Sequence, residues 1–308
     1  MKTTIDNPKY RRILNPQSSA DWIEYLDFMT DFYFKVMLAL RNVSHKTQFR
    51  AQMATSLQMM FTKGKSMRCL LNGYSQENES VLLRSKADHT ILFTLVRSAF
   101  EQLCAFELVY MIPDTPDKRT IMENVYVAAA QVNRLKMFTE EGLAQYSEKT
   151  EIVKRDIEAC RKDIYNSQLY QSLTEKEKAE FEKTVFKRGE YQIVFTKEGR
   201  LIPHVGWDEV RDYCRLRTDV LHGVYKFACN MAHPSYLGLC QFNDAYQDNE
   251  IDNLNDTAVM QMIAVMSVYI IDFMEEFLEA KCVYDAFDDE AQFAVRMYSE
   301  CFRKRSVD

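Results

Sequence analysis

The chain has 308 residues, 47% hydrophobic and 27% charged, enough length and apolar content to bury a real core. Only 8 glycines and 6 prolines punctuate it, too few for a sandwich or barrel, so an all-α fold is expected. A net charge of −6 excludes a general nucleic-acid coat, which needs a basic surface, while leaving room for a local basic site.

Residues 1–20 read as an irregular arm rich in Pro, Ser and Asn, and "MKTTIDNPKYRRILNPQSS" lacks the apolar run of a secretory signal. "SSADWIEYLDFMTDFYFKVMLALRN" then opens on a capping serine, with Trp22, Leu26, Phe28, Phe32, Val36 and Leu40 at helical spacing. A second helix is expected over 47–72, stopping at "NGYS", and a long third over 79–112, ending at "PDTPD". Two more follow over 117–138 and 143–168, the latter strongly charged. "LTEKEKAEFEKTVFKRG" reads as an exposed helix capped by Thr174. The one strand-like patch is "YQIVFTKEGRLIPHVGW", where two short runs flank Lys197, Glu198 and Gly199, giving a small hairpin inserted at 190–203.

Helix resumes over 208–232 and stops where Pro234 biases His233 away from helical geometry. Final helices are expected over 251–280 and 287–303. The 18 residues "TAVMQMIAVMSVYIIDFM" are nearly all apolar, but Gln261, Ser267 and Asp272 interrupt them and no second such run exists, so a central buried helix is expected rather than a membrane span. No repeat or long linker divides the chain, which reads as a single all-helical domain over 1–308. Its eight cysteines are scattered without a C-x-x-C pair, as in a reduced cytoplasmic protein.

The stretch "RLRTDVLHGVYKFACNMAHPSYLG", residues 215–238, holds two of the five histidines. On one helix over 208–232, Arg211, Arg215 and His222 fall within about 40° of one another, and Lys226 continues the stripe. Asp219 lies one turn before His222 and four residues after Arg215, close enough to hold either. Arg217 sits off this line. An imidazole beside fixed positive charge suits phosphodiester chemistry: histidine moves the proton of an attacking 2′-hydroxyl and arginine offsets charge on the phosphate. A structural role for His222 is equally compatible with the sequence. His233 ends its helix, either as a cap favoured by the carbonyl end or as a further site residue. Arg97 and Glu101, four apart, read as an ion pair pinning the third helix or as catalytic groups.

Metal and nucleotide chemistries find little support. The Glu-x-x-His of di-iron bundles is absent, with Asp219-x-x-His222 the nearest approach. Cys229 and His233 form one closely spaced ligand pair, whereas structural zinc needs two. No G-x-S-x-G or phosphate-cradling glycine loop occurs, so no cofactor or metal is expected.

Arg215 and Arg217, with six and four residues between them and His222, resemble the R-x(4–6)-H signature of HEPN domains, compact all-helical modules of prokaryotic defence and toxin systems. Arg84 and His89 fit the same spacing, and Leu216 stands where that family often has a polar residue. "LFTLVRSAFEQLCAFELVYMI" and "YKFACNMAHPSYLG" also resemble a family of bacterial helical proteins that share an R-S-x-F-E helix and a late histidine followed by a small residue or proline. The resemblance implies a metal-independent endoribonuclease with RNA as substrate, a site formed across a homodimer, an antitoxin or neighbouring-gene protein as partner, and no membrane. Its site residues would be His222, Arg215, Arg217, Asp219 and His233. The alternative is a non-catalytic helical protein that binds a protein partner or small ligand through the same groove.

Overall fold

The computed structural model describes residues 7–41, 43, 47–80, 82–214, 216–233 and 235–303; the side chains at 83–85, 140, 143, 144 and 218–222 lie outside that description. The elements begin with α1 (Pro8–Leu14), α2 (Ser19–Leu40), α3 (Gln48–Leu70), the strands β1 (Tyr74–Glu77) and β2 (Leu82–Ser85), and α4 (His89–Phe106), which runs on as a π-helical turn, Glu107–Met111. Next come α5 (Pro116–Lys136), α6 (Glu140–Gln145), α7 (Ser147–Asn166), α8 (Gln168–Ser172) and α9 (Glu175–Phe181), extended by the π-helical Glu182–Arg188. After β3 (Val194–Phe195) and β4 (Leu201–Ile202), the chain closes with α10 (Trp207–Tyr213), α11 (Thr218–Ala232), α12 (Tyr236–Gln247), α13 (Ile251–Glu276), α14 (Leu278–Asp285) and α15 (Asp289–Phe302). The fold is an all-α helical bundle carrying two small antiparallel hairpins.

Local chemistry sets many of these boundaries. Ser18 caps α2 by accepting from the Asp21 amide, and Thr115, ahead of Pro116, accepts from Lys118 to start α5. Thr174 and Glu177 form a reciprocal capping box at α9. The expected hairpin forms where Val194 pairs with Ile202 and Phe195 with Leu201, and Gly199 supplies the positive φ of the turn (80°).

Four expectations are corrected. The arm over 1–20 contains α1, because Asn7 caps it, Pro8 starts it and fully buried Ile13 anchors it. The third helix does not begin at 79. Residues 74–85 form the β1–β2 hairpin, with the Asn78 side chain accepting from the Ser80 amide in the turn, and helix starts only after Asp88 caps it through Thr90. The patch at 190–203 is therefore not the only strand pair. The helix expected over 208–232 is broken between α10 and α11, because Leu216 forms a β-bridge with Arg303 and the Arg217 amide donates to the Phe302 carbonyl (2.8 Å).

The chain divides into two compact units, one made of residues 1–103 and 215–308 and the other of 104–214. In the first, α13 is the central helix and packs against α2, α3, α14 and α15. It is long and apolar enough to cross a membrane by length and composition, and 83% of its apolar window is buried inside the protein. Of the polar residues that interrupt this window, Ser267 and Asp272 have partners there, while the Gln261 Oε1 is buried with none among the described residues. The Ser267 hydroxyl donates to the Val295 carbonyl (2.5 Å) and accepts from the Ser299 amide (3.0 Å), while Asp272 pairs with Arg303. Tyr33, wholly buried, donates to the Met266 carbonyl (2.7 Å). Hydrogen bonds inside an apolar core remove the penalty these groups would otherwise carry, so they key α13 to α2 and α15. In the second unit, α5 and α7 form the main helix pair, joined by α6.

Candidate functional site

Within the first unit, α4 buries Leu92, Phe93, Val96, Ala99, Phe100 and Leu103 along one face, leaving Arg97 and Glu101 on its flank with side chains 28% exposed. Helix α11 buries Val224, Ala228 and Met231 and lies against that flank. Two ring contacts hold the pair: Phe93 meets Phe227 edge-on at 4.9 Å, and Phe100 stacks on Tyr225 at 5.3 Å.

Between the helices, Arg97 Nε donates to Glu101 (3.0 Å) and the Tyr225 hydroxyl donates to the same carboxylate oxygen (3.0 Å). Arg97 Nη1 lies 2.8 Å from His233 Nε2. A guanidinium can only donate, so in this contact Nε2 is the acceptor and the ring hydrogen is on Nδ1. The hydrogen bond to Glu101 raises the Arg97 pKa further above its ordinary value. Burial, reinforced by Glu101, raises that of Tyr225, which keeps its proton at neutral pH and acts as a donor. Among the described residues Arg97 Nη2 has no protein hydrogen bond, leaving a fixed cation beside an imidazole at the surface.

The turn after α11 places His233. Its backbone is extended (φ −100°, ψ 137°), its carbonyl accepts from Ser235 (2.7 Å), and Ser235 caps α12 by accepting from Gly238 (3.1 Å). A Cβ at Gly238 would come within 2.8 Å of the His233 carbonyl oxygen, so this reversal requires glycine.

The residues singled out in the sequence separate. Arg215 lies outside the described residues; Asp219 and His222 have their backbone in the first turns of α11 and their side chains outside the description. Arg217 precedes α11 and donates to the Cys301 carbonyl (3.2 Å), binding the end of α15. Arg211, expected on the helix of His222, belongs to α10, where it is buried and paired with Asp208 and Asp212. Arg211 and position 222 therefore do not share one helix, as the stripe required.

Of the singled-out residues, the described side chains bring together His233, Arg97 and Glu101, with His233 contacting Arg97 and Arg97 in turn bonded to Glu101. The sequence reading did not pick out Tyr225. The signal was there, since Tyr225, Cys229 and His233 recur every four residues and mirror the spacing of Arg97 and Glu101.

In the second unit His204, at φ 61°, contacts Glu190 through Nδ1 (2.6 Å) and Thr184, Arg188 and Glu180 through Nε2. Both ring nitrogens are engaged, and His204 acts as a pin between the π-helical segment after α9 and the β4 end of the hairpin. No family model, curated protein or solved structure matches this chain.

Proposed function

We propose that the chain is a HEPN-like bacterial effector of the cytoplasm, a metal-independent endoribonuclease acting as a homodimer in defence or toxin biology, with Arg97 and His233 at its centre. The contact between Arg97 Nη1 and His233 Nε2, 2.8 Å, carries this reading. It sets an imidazole beside a guanidinium whose Nη2 is still available for a phosphate oxygen. In the proposed reaction Arg97 Nη1 turns from His233 Nε2 to a phosphate oxygen as RNA binds, and the freed Nε2 takes the proton of an RNA 2′-hydroxyl. The 2′-oxygen then bonds to the adjacent phosphorus as the bond to the 5′-oxygen breaks. The 5′-oxygen leaves with a proton from solvent, giving a 2′,3′-cyclic phosphate and a 5′-hydroxyl. Arg97 offsets the charge that builds on the phosphate, and Glu101 and Tyr225 hold Arg97 in place.

A second reading, a non-catalytic binder of a protein partner such as an antitoxin, is favoured by one observation. Directly after His233, α12 exposes Tyr236 (84%), Leu237 and Leu239, apolar surface that suits a partner. Cleavage of an end-labelled RNA in EDTA separates the two. Wild type should cut, and His233→Ala should lose about 10²–10⁴-fold in rate. His222→Ala, three turns away, should cut like wild type if His233 is the base. RNA left intact by wild type supports the binder, and activity that survives His233→Ala or dies with chelator contradicts the mechanism.

A further inference from the structure

The second unit contains a cavity of about 280 Å³ that the Arg97 site does not explain. After Lys136 the chain leaves α5 through Met137 and Phe138, and Thr139 caps α6 by accepting from the Gly142 amide (3.2 Å). Helix α6 then runs into Tyr146, which immediately precedes α7. The cavity lies at this crossing, lined by the apolar Leu135 and Val153, the rings of Phe138 and Tyr146, and the cationic Arg134 and Lys149. The two rings are 6.4 Å apart at 57° and about half exposed, so they line a mouth rather than fill a core.

Charge is uncompensated here. Lys149 Nζ lies over the Tyr146 ring at 5.7 Å, and neither it nor Arg134 has a carboxylate partner among the described residues. Further along the same helix Lys154 pairs with Glu151 and Arg161 with Glu158, as expected for a solvated face. Among the described residues no carboxylate lines the cavity. Two cations without a carboxylate partner among those residues, over an apolar, ring-walled space, suit a ligand with a flat apolar body and one negative group, since cation and rings then both gain a partner. A volume just below the usual range for drug-sized ligands limits that body to one or two rings.

We propose that this cavity binds a small aromatic anion, its ring packed against the edges of Phe138 and Tyr146 and its carboxylate or phosphate on Arg134 and Lys149. Isothermal titration calorimetry of the full chain tests this with indole-3-acetate and adenosine 5′-monophosphate as probes. The neutral parents indole and adenosine, and acetate and inorganic phosphate alone, serve as controls. At least one aromatic anion should bind, the tighter of the two identifying the preferred head group, and every control should be weaker by about tenfold or more. Lys149→Gln and Arg134→Gln should each weaken binding by about tenfold at unchanged melting temperature. No heat from either aromatic anion at millimolar concentration, neutral parents that bind as well as the anions, phosphate alone that binds as tightly as the nucleotide, or folded glutamine variants that bind like wild type would each overturn the proposal.

Discussion

Removing Glu101 should loosen α4 from α11 by an amount that can be worked out from its two bonds. The pair with Arg97 is a partly exposed contact within one helix, worth about 0.3–0.5 kcal/mol. The Tyr225 hydroxyl joins residues 124 positions apart. Such a bond to a charged group contributes about 1.5–3 kcal/mol when buried, and about 1 kcal/mol here because the carboxylate still meets water. Glu101→Ala should therefore cost about 1.5 kcal/mol, a fall in Tm of about 3–6 °C. Glu101→Gln keeps an acceptor for Tyr225 and should lose about half as much. Tyr225→Phe retains the stack on Phe100 and removes only the hydroxyl, at about 1 kcal/mol. Thermal unfolding followed by circular dichroism should rank wild type above Gln above Ala. The double variant Glu101→Ala with Tyr225→Phe should lose less than the sum of the single losses, because both delete one bond. Strictly additive losses, or Gln as damaging as Ala, would refute the Tyr225 link.

His89 is buried against Phe242, and burial lowers its pKa from the ordinary histidine value. Its folded pKa lies below its unfolded one, so the unfolded chain binds the proton first and stability falls as pH drops below about 6.5. His89→Phe, which keeps the stacking, should flatten the decline of Tm between about pH 6.5 and 5; a variant that follows the wild-type slope would exclude His89 as its source. Burial pushes the Cys160 thiol up to about 11. In the native protein at about pH 8, iodoacetamide should modify exposed Cys69, Cys282 and Cys301 and spare Cys160, as read by peptide mass spectrometry. Early labelling of Cys160 would contradict its burial on α7.

Much of the helical framework is legible because its signals are local. Ser18, Thr115 with Pro116, and the Thr174–Glu177 box announce helix starts, and Gly199 marks a hairpin. The β1–β2 hairpin escaped because its first strand is fully exposed and carries no apolar alternation, while Glu77 and Glu79 resemble the acidic first turn of a helix. The break before α11 is unreadable for a different reason: the groups that pull Leu216 and Arg217 out of helix are Phe302 and Arg303, at the far end of the chain. The candidate site shows both limits. The Arg97–Glu101 pair follows from a spacing of four, whereas its meeting with His233 depends on the packing of α4 on α11, which no periodicity encodes.

The central claim is that Arg97 and His233 together cut RNA without metal. Its most direct test is the chemistry of the new ends when wild type, Arg97→Ala and His233→Ala meet a single-stranded RNA in EDTA. Wild type should leave 2′,3′-cyclic phosphate and 5′-hydroxyl ends, with no cleavage where the 2′-hydroxyl is replaced by hydrogen. His233→Ala should form them about 10²–10⁴-fold more slowly and Arg97→Ala about 10²–10³-fold more slowly. 5′-phosphate ends, or cyclic-phosphate ends produced by both variants at the wild-type rate, would contradict it.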